Sequence, residues 1–342
     1  MSVPAGRAPH RPRTMLAMSP ELLPRILGTA AADRLALVAD LVPGVFDDFG
    51  TRRARQALAE TEVLLSFWGC PPVDRAVLAA APRLRAVVHA AGSVKYIVTP
   101  ECRLRGIAVS SAAWANALPV AEYTVAAVLM SNKRLLQISA DFRRVRHLDD
   151  WHHRYADVGN YRRTVGLVGA SRIGRRVIEL LRPYDLDLVV YDPYLGRAEA
   201  EALGVRRLGL DELCAVSDVL SLHAPALDET RGMIDRRRLA LLPDGATVIN
   251  TARGSLIDTE ALVDELSAGR LHAVLDVTEP ELLPADSPLY ALPNVLLTPH
   301  VAGSVGGELH RMADSAVAEL ARYAAGQPFQ HPVLLEEWDR TA

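Results

Sequence analysis

Three charged or titratable residues each follow a short apolar run in the second half of the chain. Arg253 comes after the run Ala246–Asn250, Glu281 lies beyond a Leu-Asp-Val run, and His300 follows Val-Leu-Leu-Thr-Pro. Ligands of open α/β sheets bind at the carboxyl ends of strands, so these residues can meet at one sheet edge. A guanidinium binds a carboxylate bidentately, and an imidazole with a pKa near ~6.5 exchanges protons at neutral pH. We expect Arg253 to hold an acid, and His300, beside Glu281, to give or take a proton.

Each of these residues also has a purely structural interpretation. An arginine after a strand is often a surface ion-pair residue, and a histidine after a proline is often a structural one. Glu279, shortly before Glu281, is a second candidate for the acid that orients the imidazole. These residues alone leave the alternatives open.

A glycine-containing turn offers a second kind of chemistry. The segment from Thr164 to Asp192 predicts a strand, a turn from Gly169 to Gly174, an amphipathic helix and a second strand that ends in an acid. This is the order of a dinucleotide-binding unit, in which the helix N-terminus binds a pyrophosphate and the acid binds a ribose hydroxyl. The middle glycine of the usual fingerprint is Ser171 in this chain. Glycine pairs also occur in purely structural turns, so the motif by itself is weak evidence.

Alternating short strands and helices must position these residues. Before the glycine turn, five apolar runs separated by helical segments predict a parallel sheet with helices on both faces. The predicted strands are Met15–Met18, Leu35–Ala39, Val63–Phe67, Ala86–His89 and Ala108–Ser110.

A long apolar helix is predicted from Asn116, and its composition predicts burial on every side, between domains or subunits. A polar stretch rich in arginine and histidine, with Trp151, leads from it to the glycine turn. Beyond Asp192 the alternation resumes, and the chain closes with a helix predicted from Val305 to Tyr323.

Composition excludes several classes of protein. The chain has 342 residues, of which 50% are apolar, and a net charge of −3, which favours two domains and argues against nucleic acid or an anionic membrane as partner. Its 3 cysteines show no metal-ligand or disulfide spacing. The first dozen residues read as a disordered lead-in without the apolar core of a signal peptide. The run Val120–Met130 is too short to cross a bilayer, so we expect a cytoplasmic protein.

The chain resembles the D-isomer-specific 2-hydroxyacid dehydrogenases over roughly residues 60 to 330. The two segments VINTARGSLID and LDVTEPELLPADSPLYALPNVLLTPHVAGS are the most specific. Four further segments carry the resemblance: APRLRAVVHAAGSV, NALPVAEYTV, TVGLVGASRIGRRV and LSLHAPALDETRGMID.

By this resemblance, Arg253 would bind the substrate, His300 would be the proton donor and Glu281 its carboxylate partner. The loop formed by Ala91, Gly92, Ser93 and Val94 would bind the substrate carboxylate through its backbone. The cofactor NAD would contact Gly169, Ser171, Arg172, Ile173, Gly174, Asp192, His223, Pro225, Thr251, Ala252, Asp276 and Gly303.

Several positions depart from the family pattern. Ser171 replaces a glycine, Thr278 an aromatic residue and Leu282 a proline, while Lys95 and Tyr96 stand where aspartate and asparagine are common. The three reactive residues are intact, so the departures bear on affinity and substrate choice. Lys95 suggests a preference for substrates with a second negative group, unless it simply faces solvent.

We therefore predict an α/β protein with two doubly wound parallel-sheet domains. A flavodoxin-like substrate-binding domain would comprise residues 1–115 and 306–342, and a Rossmann NAD-binding domain residues 116–305. The predicted protein is a homodimeric oxidoreductase that transfers a hydride between NAD(H) and a small 2-hydroxy acid/2-oxo acid pair. Two other functions stay open: an NAD(H)-sensing, corepressor-like binding protein of the same fold, and a degenerate enzyme that lost its cofactor through Ser171.

Overall fold

The computed structural model describes residues 10–147 and 150–334, so most of the predicted lead-in lies outside the described residues. The chain forms two units. The first unit contains the described residues up to Asn116 and those from Ser304 onward, and the second runs from Ala117 to Gly303. Each unit is built on its own sheet, and apolar side chains cover both faces of each sheet. Burial on both faces is what parallel strands rich in valine and leucine require.

The first unit holds a five-stranded parallel sheet with the order β2-β1-β3-β4-β5. The alternating pattern predicts a parallel sheet, and this strand order is that of the flavodoxin-like domain that we expected. The strands are β1 Arg13–Ala17, β2 Asp40–Phe46, β3 Val63–Ser66, β4 Ala86–His89 and β5 Ala108–Ser111. The helices are α1 Leu23–Ile26, α2 Thr29–Val38, α3 Arg52–Glu60, α4 Arg75–Ala80, α5 Pro100–Leu104 and, near the end of the chain, α14 Leu309–Ala324, preceded by a 3₁₀ turn at Gly306–Glu308.

The predicted strand Leu35–Ala39 is wrong, because these residues end helix α2 and the strand follows them as β2. Strand β2 contains Pro43 and Gly44, two residue types that normally argue against a strand. It lies at the edge of the sheet, where a proline need not donate to a neighbouring strand. The sequence pattern shows the proline but not the edge position.

The second unit holds a seven-stranded parallel sheet with the order β12-β11-β10-β9-β6-β7-β8. Six of these strands have the dinucleotide-binding order 3-2-1-4-5-6, which confirms the predicted Rossmann topology. The strands are β6 Thr164–Val168, β7 Asp187–Tyr191, β8 Arg206–Arg207, β9 Val219–Leu222, β10 Thr247–Asn250, β11 His272–Leu275 and β12 Val295–Leu297.

The helices of this unit follow the glycine turn and the strands after it. They are α9 Arg172–Leu181, α10 Arg197–Leu203, α11 Leu210–Val216, α12 Arg236–Leu241 and α13 Thr259–Ser267. Short 3₁₀ turns occur at Asp228–Thr230, Gly254–Leu256 and Pro288–Tyr290.

The long apolar helix is α6, Ala113–Asn132, which begins in the first unit and continues into the second. Within the single chain it is not buried on every side, because Glu122, Ala126 and Met130 are exposed, so its predicted burial between subunits stays a prediction. Residues four apart lie on the same helix face, so these three form one exposed stripe.

For the polar stretch after α6, the sequence pattern predicts no helix or strand. The stretch contains a regular helix, α7 Leu135–Val145, and a short one, α8 Trp151–Arg154. Three large apolar side chains of α7 are exposed, namely Leu135, Leu136 and Phe142. No helix in the described part of the chain is long and apolar enough to cross a membrane.

Candidate active site

The glycine turn joins β6 to α9 in the second unit. Gly169 has a φ of +104°, in the left-handed region that favours glycine, and a Cβ there would lie 2.8 Å from the backbone nitrogen of Ala224. A Cβ on Gly174 would lie 2.1 Å from the carbonyl oxygen of Gly169. The first glycine therefore permits the turn, and the last permits close contact between helix and strand.

Ser171 is the N-cap of helix α9. Its Oγ accepts a hydrogen bond of 3.3 Å from the N–H of Gly174, the bond that a capping serine usually makes. The N–H groups of Arg172 and Ile173, at the start of the helix, have no helical acceptor. The exposed Arg172 guanidinium makes no hydrogen bond or ion pair within the described residues. The turn therefore offers an anion two backbone donors and a positive charge.

Asp192 follows β7 and lies against the glycine turn. Its Oδ2 accepts from the N–H of Ala170 and its Oδ1 from the N–H of Tyr194, each at 2.8 Å. Each carboxylate oxygen can accept a further hydrogen bond. The acid is therefore held in place by the backbone and can still accept from a ribose hydroxyl.

His223 follows β9 and lies behind the turn, with its Cβ 3.4 Å from the position of a Cβ on Gly174. The residue is 4% exposed, and its Nε2 lies 3.0 Å from the Oγ of Ser221. Burial lowers the pKa of His223 to about 3, so the ring is neutral, and its buried Nδ1 has no hydrogen-bond partner among the described residues. The nearby Pro225 is half-buried, and its carbonyl accepts from the hydroxyl of Thr230 at 2.6 Å.

The loop after β10 carries Arg253. The buried side chain of Asn250 shapes this loop, donating to the carbonyl of Arg253 at 2.8 Å and accepting from the N–H of Ala252 at 3.1 Å. One guanidinium nitrogen of Arg253 donates to the Ala252 carbonyl at 2.6 Å, and the other nitrogens have no partner within the described residues. The neighbouring Thr251 is buried and hydrogen-bonds the hydroxyl of Thr124 on α6 at 3.1 Å.

Gly254 brings the loop after β10 onto the loop after β11. A Cβ at this position would lie 2.0 Å from the carbonyl carbon of Thr278 and 2.5 Å from the nitrogen of Glu279. The Thr278 hydroxyl in turn donates to the carbonyl of Glu281 at 3.1 Å. The segments that carry Arg253 and Glu281 are therefore neighbours at the level of their backbones.

Asp276, at the end of β11, fixes the segment that carries His300. Its carboxylate is buried and accepts three hydrogen bonds, from the Thr298 hydroxyl at 2.7 Å and from the N–H groups of Val301 at 2.8 Å and Ala302 at 2.9 Å. Its carbonyl accepts from the N–H of His300 at 2.9 Å. We infer that Asp276 positions this segment. Gly303, for which the family resemblance implies a contact with the cofactor, directly follows it and is half-buried.

His300 and Glu281 form a close pair. The Nδ1 of His300 lies 2.6 Å from the Oε1 of Glu281. A carboxylate only accepts, so Nδ1 carries the hydrogen and Nε2 remains available for proton exchange. His300 has a φ of +56°, which histidine adopts more readily than most residues.

The rival acid Glu279 lies elsewhere. Its carboxylate is 3.5 Å from a guanidinium nitrogen of Arg231. Of the two acids that the sequence offers, the structure thus brings Glu281 to His300.

Sequence reasoning did not single out two members of this network. The Tyr123 hydroxyl on α6 hydrogen-bonds the Thr298 hydroxyl at 2.9 Å, which extends the chain of contacts from Asp276. Burial raises the pKa of Tyr123, so its phenol stays protonated at neutral pH. Both residues lie inside segments that carry the family resemblance, but only the fold shows that they meet.

The loop Ala91–Val94 follows β4 in the first unit. The N–H groups of all four residues make no hydrogen bond within the described part of the chain, whereas the carbonyl of Val94 accepts from Ile97 and Val98. The N–H of Lys95 lies 3.4 Å from the Oγ of Ser93. Four free backbone donors on one short loop suit a carboxylate.

Comparison with known proteins identifies the class to which this fold and site belong. Residues 125–302 match the family model described as D-isomer specific 2-hydroxyacid dehydrogenase, NAD binding domain. The chain is 35% identical over 277 residues to D-3-phosphoglycerate dehydrogenase of Mycobacterium tuberculosis, across 80% of this chain and 51% of that protein. It is 32% identical over 260 residues to glyoxylate reductase of Korarchaeum cryptofilum, across 75% of this chain and 78% of that protein.

The chain belongs to the D-isomer specific 2-hydroxyacid dehydrogenase family, and its second unit contains the NAD-binding domain. It spans about half the length of the phosphoglycerate dehydrogenase that it matches. A solved phosphoglycerate oxidoreductase from Rhizobium etli aligns with a TM-score of 0.80 and 22% identity, covering 95% of this chain and 99% of that one, which supports the fold alone.

Proposed function

We propose that this protein interconverts a small 2-oxo acid and the corresponding 2-hydroxy acid, with NAD(H) as the hydride carrier. The observation that carries the proposal is the 2.6 Å contact between His300 and Glu281, on a segment pinned by Asp276. An imidazole with one nitrogen on a carboxylate and the other free is suited to general acid–base catalysis.

The glycine turn fits a dinucleotide. Gly169 and Gly174 leave no room for side chains, and the free donors of Arg172 and Ile173 suit a pyrophosphate. The bound nicotinamide supplies or accepts the hydride. Asp192 would accept from the ribose hydroxyls and repel a 2′-phosphate, so we expect NADH to bind more tightly than NADPH. A fluorescence titration in which NADPH binds more tightly would contradict this assignment.

The reacting groups then have separate tasks. In the direction of reduction, the Nε2 of His300 donates a proton to the carbonyl oxygen of the oxo acid. The carbon that carries this oxygen, C2 of the acid, receives the hydride. The imidazole is left neutral, and in the reverse direction it accepts the hydroxyl proton. Glu281 holds the ring and stabilises its positive charge, and Arg253 binds the acid through its unpaired guanidinium nitrogens. The free N–H groups of Ala91–Val94 would bind the substrate carboxylate.

The experiment is a panel of 2-oxo acids monitored by the loss of NADH absorbance. General acid catalysis contributes about 10²–10⁴-fold, so His300→Ala should lower kcat by that factor while NADH affinity is retained. Arg253→Ala should mainly raise KM for the oxo acid. The matched control is His153→Ala, which removes a histidine whose side chain is 93% exposed.

Wild-type turnover in either reactive variant would refute the site. Absence of turnover across the panel in the wild-type protein, with tight NADH binding, would instead favour a nucleotide-sensing role.

We also propose that the protein is a homodimer. The exposed stripe of α6 and the exposed apolar side chains of α7 are the kind of surface that a two-fold contact buries. Light scattering at micromolar concentration should give twice the chain mass, and Met130→Glu should shift it toward the monomer. A monomeric wild-type protein would contradict the proposal.

A further inference from the structure

Helix α6 carries two consecutive hydroxyl side chains, Tyr123 and Thr124, that the proposed reaction does not use. Tyr123 is half-buried and Thr124 is fully buried, on a helix whose other residues are mostly apolar. A buried hydroxyl needs a hydrogen-bond partner. Both hydroxyls find one outside the helix: Tyr123 bonds to Thr298 at 2.9 Å, and Thr124 bonds to Thr251 at 3.1 Å.

The two partners have matching positions in the sequence. Thr298 stands two residues before His300, and Thr251 stands two residues before Arg253. Each hydroxyl of α6 therefore holds the segment that carries one of the two residues proposed to act on the oxo acid. All of these residues belong to the second unit.

The hydrogen bonds that begin at Tyr123 run in one direction. The Asp276 carboxylate only accepts, so the Thr298 hydroxyl donates to it at 2.7 Å. Thr298 has no second hydroxyl hydrogen, so the Tyr123 hydroxyl is the donor to Thr298. The phenol thus holds the Thr298 hydroxyl in the orientation in which it donates to Asp276.

The hydrogen bond between Thr124 and Thr251 is fixed in direction as well. The Thr124 hydroxyl donates to the carbonyl of Val120, one turn earlier in α6, at 2.8 Å. Its single hydrogen is used there, so Thr124 accepts from the Thr251 hydroxyl. The loop after β10 is therefore bound to the helix through a side chain.

Helix α6 connects two strands that do not pair with each other. Strand β11 lies between β10 and β12, so with strands about 4.8 Å apart their ends are separated by about 10 Å. Consecutive helix residues point about 100° apart, which lets Tyr123 and Thr124 reach different strands. The helix is itself fixed on the sheet, because its Ala127 and Val128 are buried in one apolar cluster with Val274 of β11.

We propose that Tyr123 and Thr124 are positioning residues that fix the two reacting segments relative to each other. Tyr123 acts on His300, and Thr124 acts on Arg253, each through the threonine to which it bonds. The inference rests on the proposed function, because it takes His300 as the proton donor and Arg253 as the residue that binds the acid. An oxo acid on Arg253 then meets the Nε2 of His300 only while α6 holds both segments.

The test separates kcat from KM at saturating NADH, with the oxo acid of the panel that is reduced fastest. Tyr123→Phe removes only a hydroxyl and should lower kcat by about 5- to 50-fold while KM stays within about twofold. Thr124→Val should mainly raise KM, by about 5- to 50-fold, and Thr124→Ser should restore it. Tyr155→Phe is the matched control, because it removes the hydroxyl of another half-buried tyrosine of the same unit, bonded to Asp141 outside the candidate site.

Two further measurements exclude a merely structural effect. If Tyr123 acts through Thr298, Tyr123→Phe should lower kcat little further in a Thr298→Val background, since residues in one hydrogen-bond network are not additive. Calorimetric titration of oxamate, an unreactive 2-oxo acid analogue, into the NADH-loaded protein gives a readout without turnover. Oxamate should bind more weakly to Thr124→Val than to Tyr123→Phe.

Each result decides the inference. Wild-type kinetics in both variants, or equal losses of kcat and of oxamate affinity in both, would overturn it while the proposed function stands. Weaker NADH binding in Thr124→Val with an unchanged KM would assign Thr251 to the cofactor and overturn the role of Thr124. If the wild-type protein reduces no oxo acid and binds no oxamate, the proposed function fails and this inference fails with it.

Discussion

The glycine turn and the segment that carries His300 lie at the same edge of one sheet but are fixed in opposite ways. The turn requires residues without side chains, because a Cβ on Gly169 or Gly174 would collide with backbone atoms. The His300 segment is held by a side chain, the buried carboxylate of Asp276 with its three donors. Substitutions should therefore disrupt the glycine turn by steric overlap. They should disrupt the segment that carries His300 by leaving buried polar groups without hydrogen-bond partners.

Asp276→Asn should have the largest effect of these substitutions, because it disrupts the hydrogen bonds that hold the segment carrying His300. Asparagine replaces one carboxylate oxygen by a donor, which would face the Thr298 hydroxyl or a backbone N–H. Misplacing a catalytic group by about 1 Å can cost roughly 10²-fold, so we expect a loss of that order in kcat, a changed pH profile and little change in NADH affinity. Steady-state kinetics and an NADH titration measure both.

Thr298→Ser is the conservative companion, since it retains the hydroxyl that donates to Asp276, and it should keep most of the activity. A loss in NADH affinity as large as the loss in kcat would instead support the direct contact with NAD that the family resemblance implies for Asp276.

Gly174→Ala should disturb the glycine turn by steric overlap. Its new Cβ would meet the Gly169 carbonyl oxygen at 2.1 Å, and overpacking of this kind costs about 1–3 kcal/mol. We expect a lower free energy of unfolding in urea and weaker NADH binding. Gly196→Ala is the control, because Gly196, the N-cap residue of α10, has nothing within 4 Å of a Cβ. Equal stability of the two variants would refute the steric account.

The neutral imidazole behind the turn predicts a pH dependence. The pKa of His223 is about 3 in the folded protein and near ~6.5 in the unfolded chain, so the unfolded chain binds more protons below pH ~6.5. The stabilisation is present above that pH and is lost as the pH falls toward 3, at up to about 1.4 kcal/mol per pH unit.

Urea unfolding near pH 7.5 and pH 5 measures this loss, and His223→Asn should reduce it. His89 and His272, each with a pKa lowered to about 4 by burial, contribute a pH dependence that this variant retains. An identical pH dependence in the variant would show that His223 does not contribute.

Ser171→Gly should have the smallest effect. Replacing an N-cap serine by glycine costs only a few tenths of a kcal/mol, and it frees the N–H of Gly174. We expect NADH binding to be tighter or unchanged. Weaker binding would mean that the serine hydroxyl itself contributes to the cofactor site.

The fold class followed from the alternation of short strands and helices, and the pairing of Glu281 with His300 was predictable only with the family resemblance. The hydrogen bonds of Asp276 to three donors could not be predicted from the sequence. Thr298, Val301 and Ala302 reach Asp276 only because β11 and β12 are adjacent in the sheet. Local patterns do not encode which strand is at an edge, and this is why β2, with its proline, was misplaced. Helix α7 was not predicted, because the stretch was interpreted from its content of arginine and histidine and not from the spacing of its apolar residues.

The close backbone contact at Gly254 bears on how the substrate preference of such a protein can change during evolution. Its backbone contact with Thr278 and Glu279 joins the arginine-bearing and acid-bearing loops, and Asp276 joins the histidine to the same sheet. The residues proposed to exchange the proton thus belong to the second unit, whereas the loop Ala91–Val94, proposed to bind the substrate carboxylate, belongs to the first. A new substrate preference can then arise by altering or transplanting the first unit's loops, without readjusting the donor of the proton.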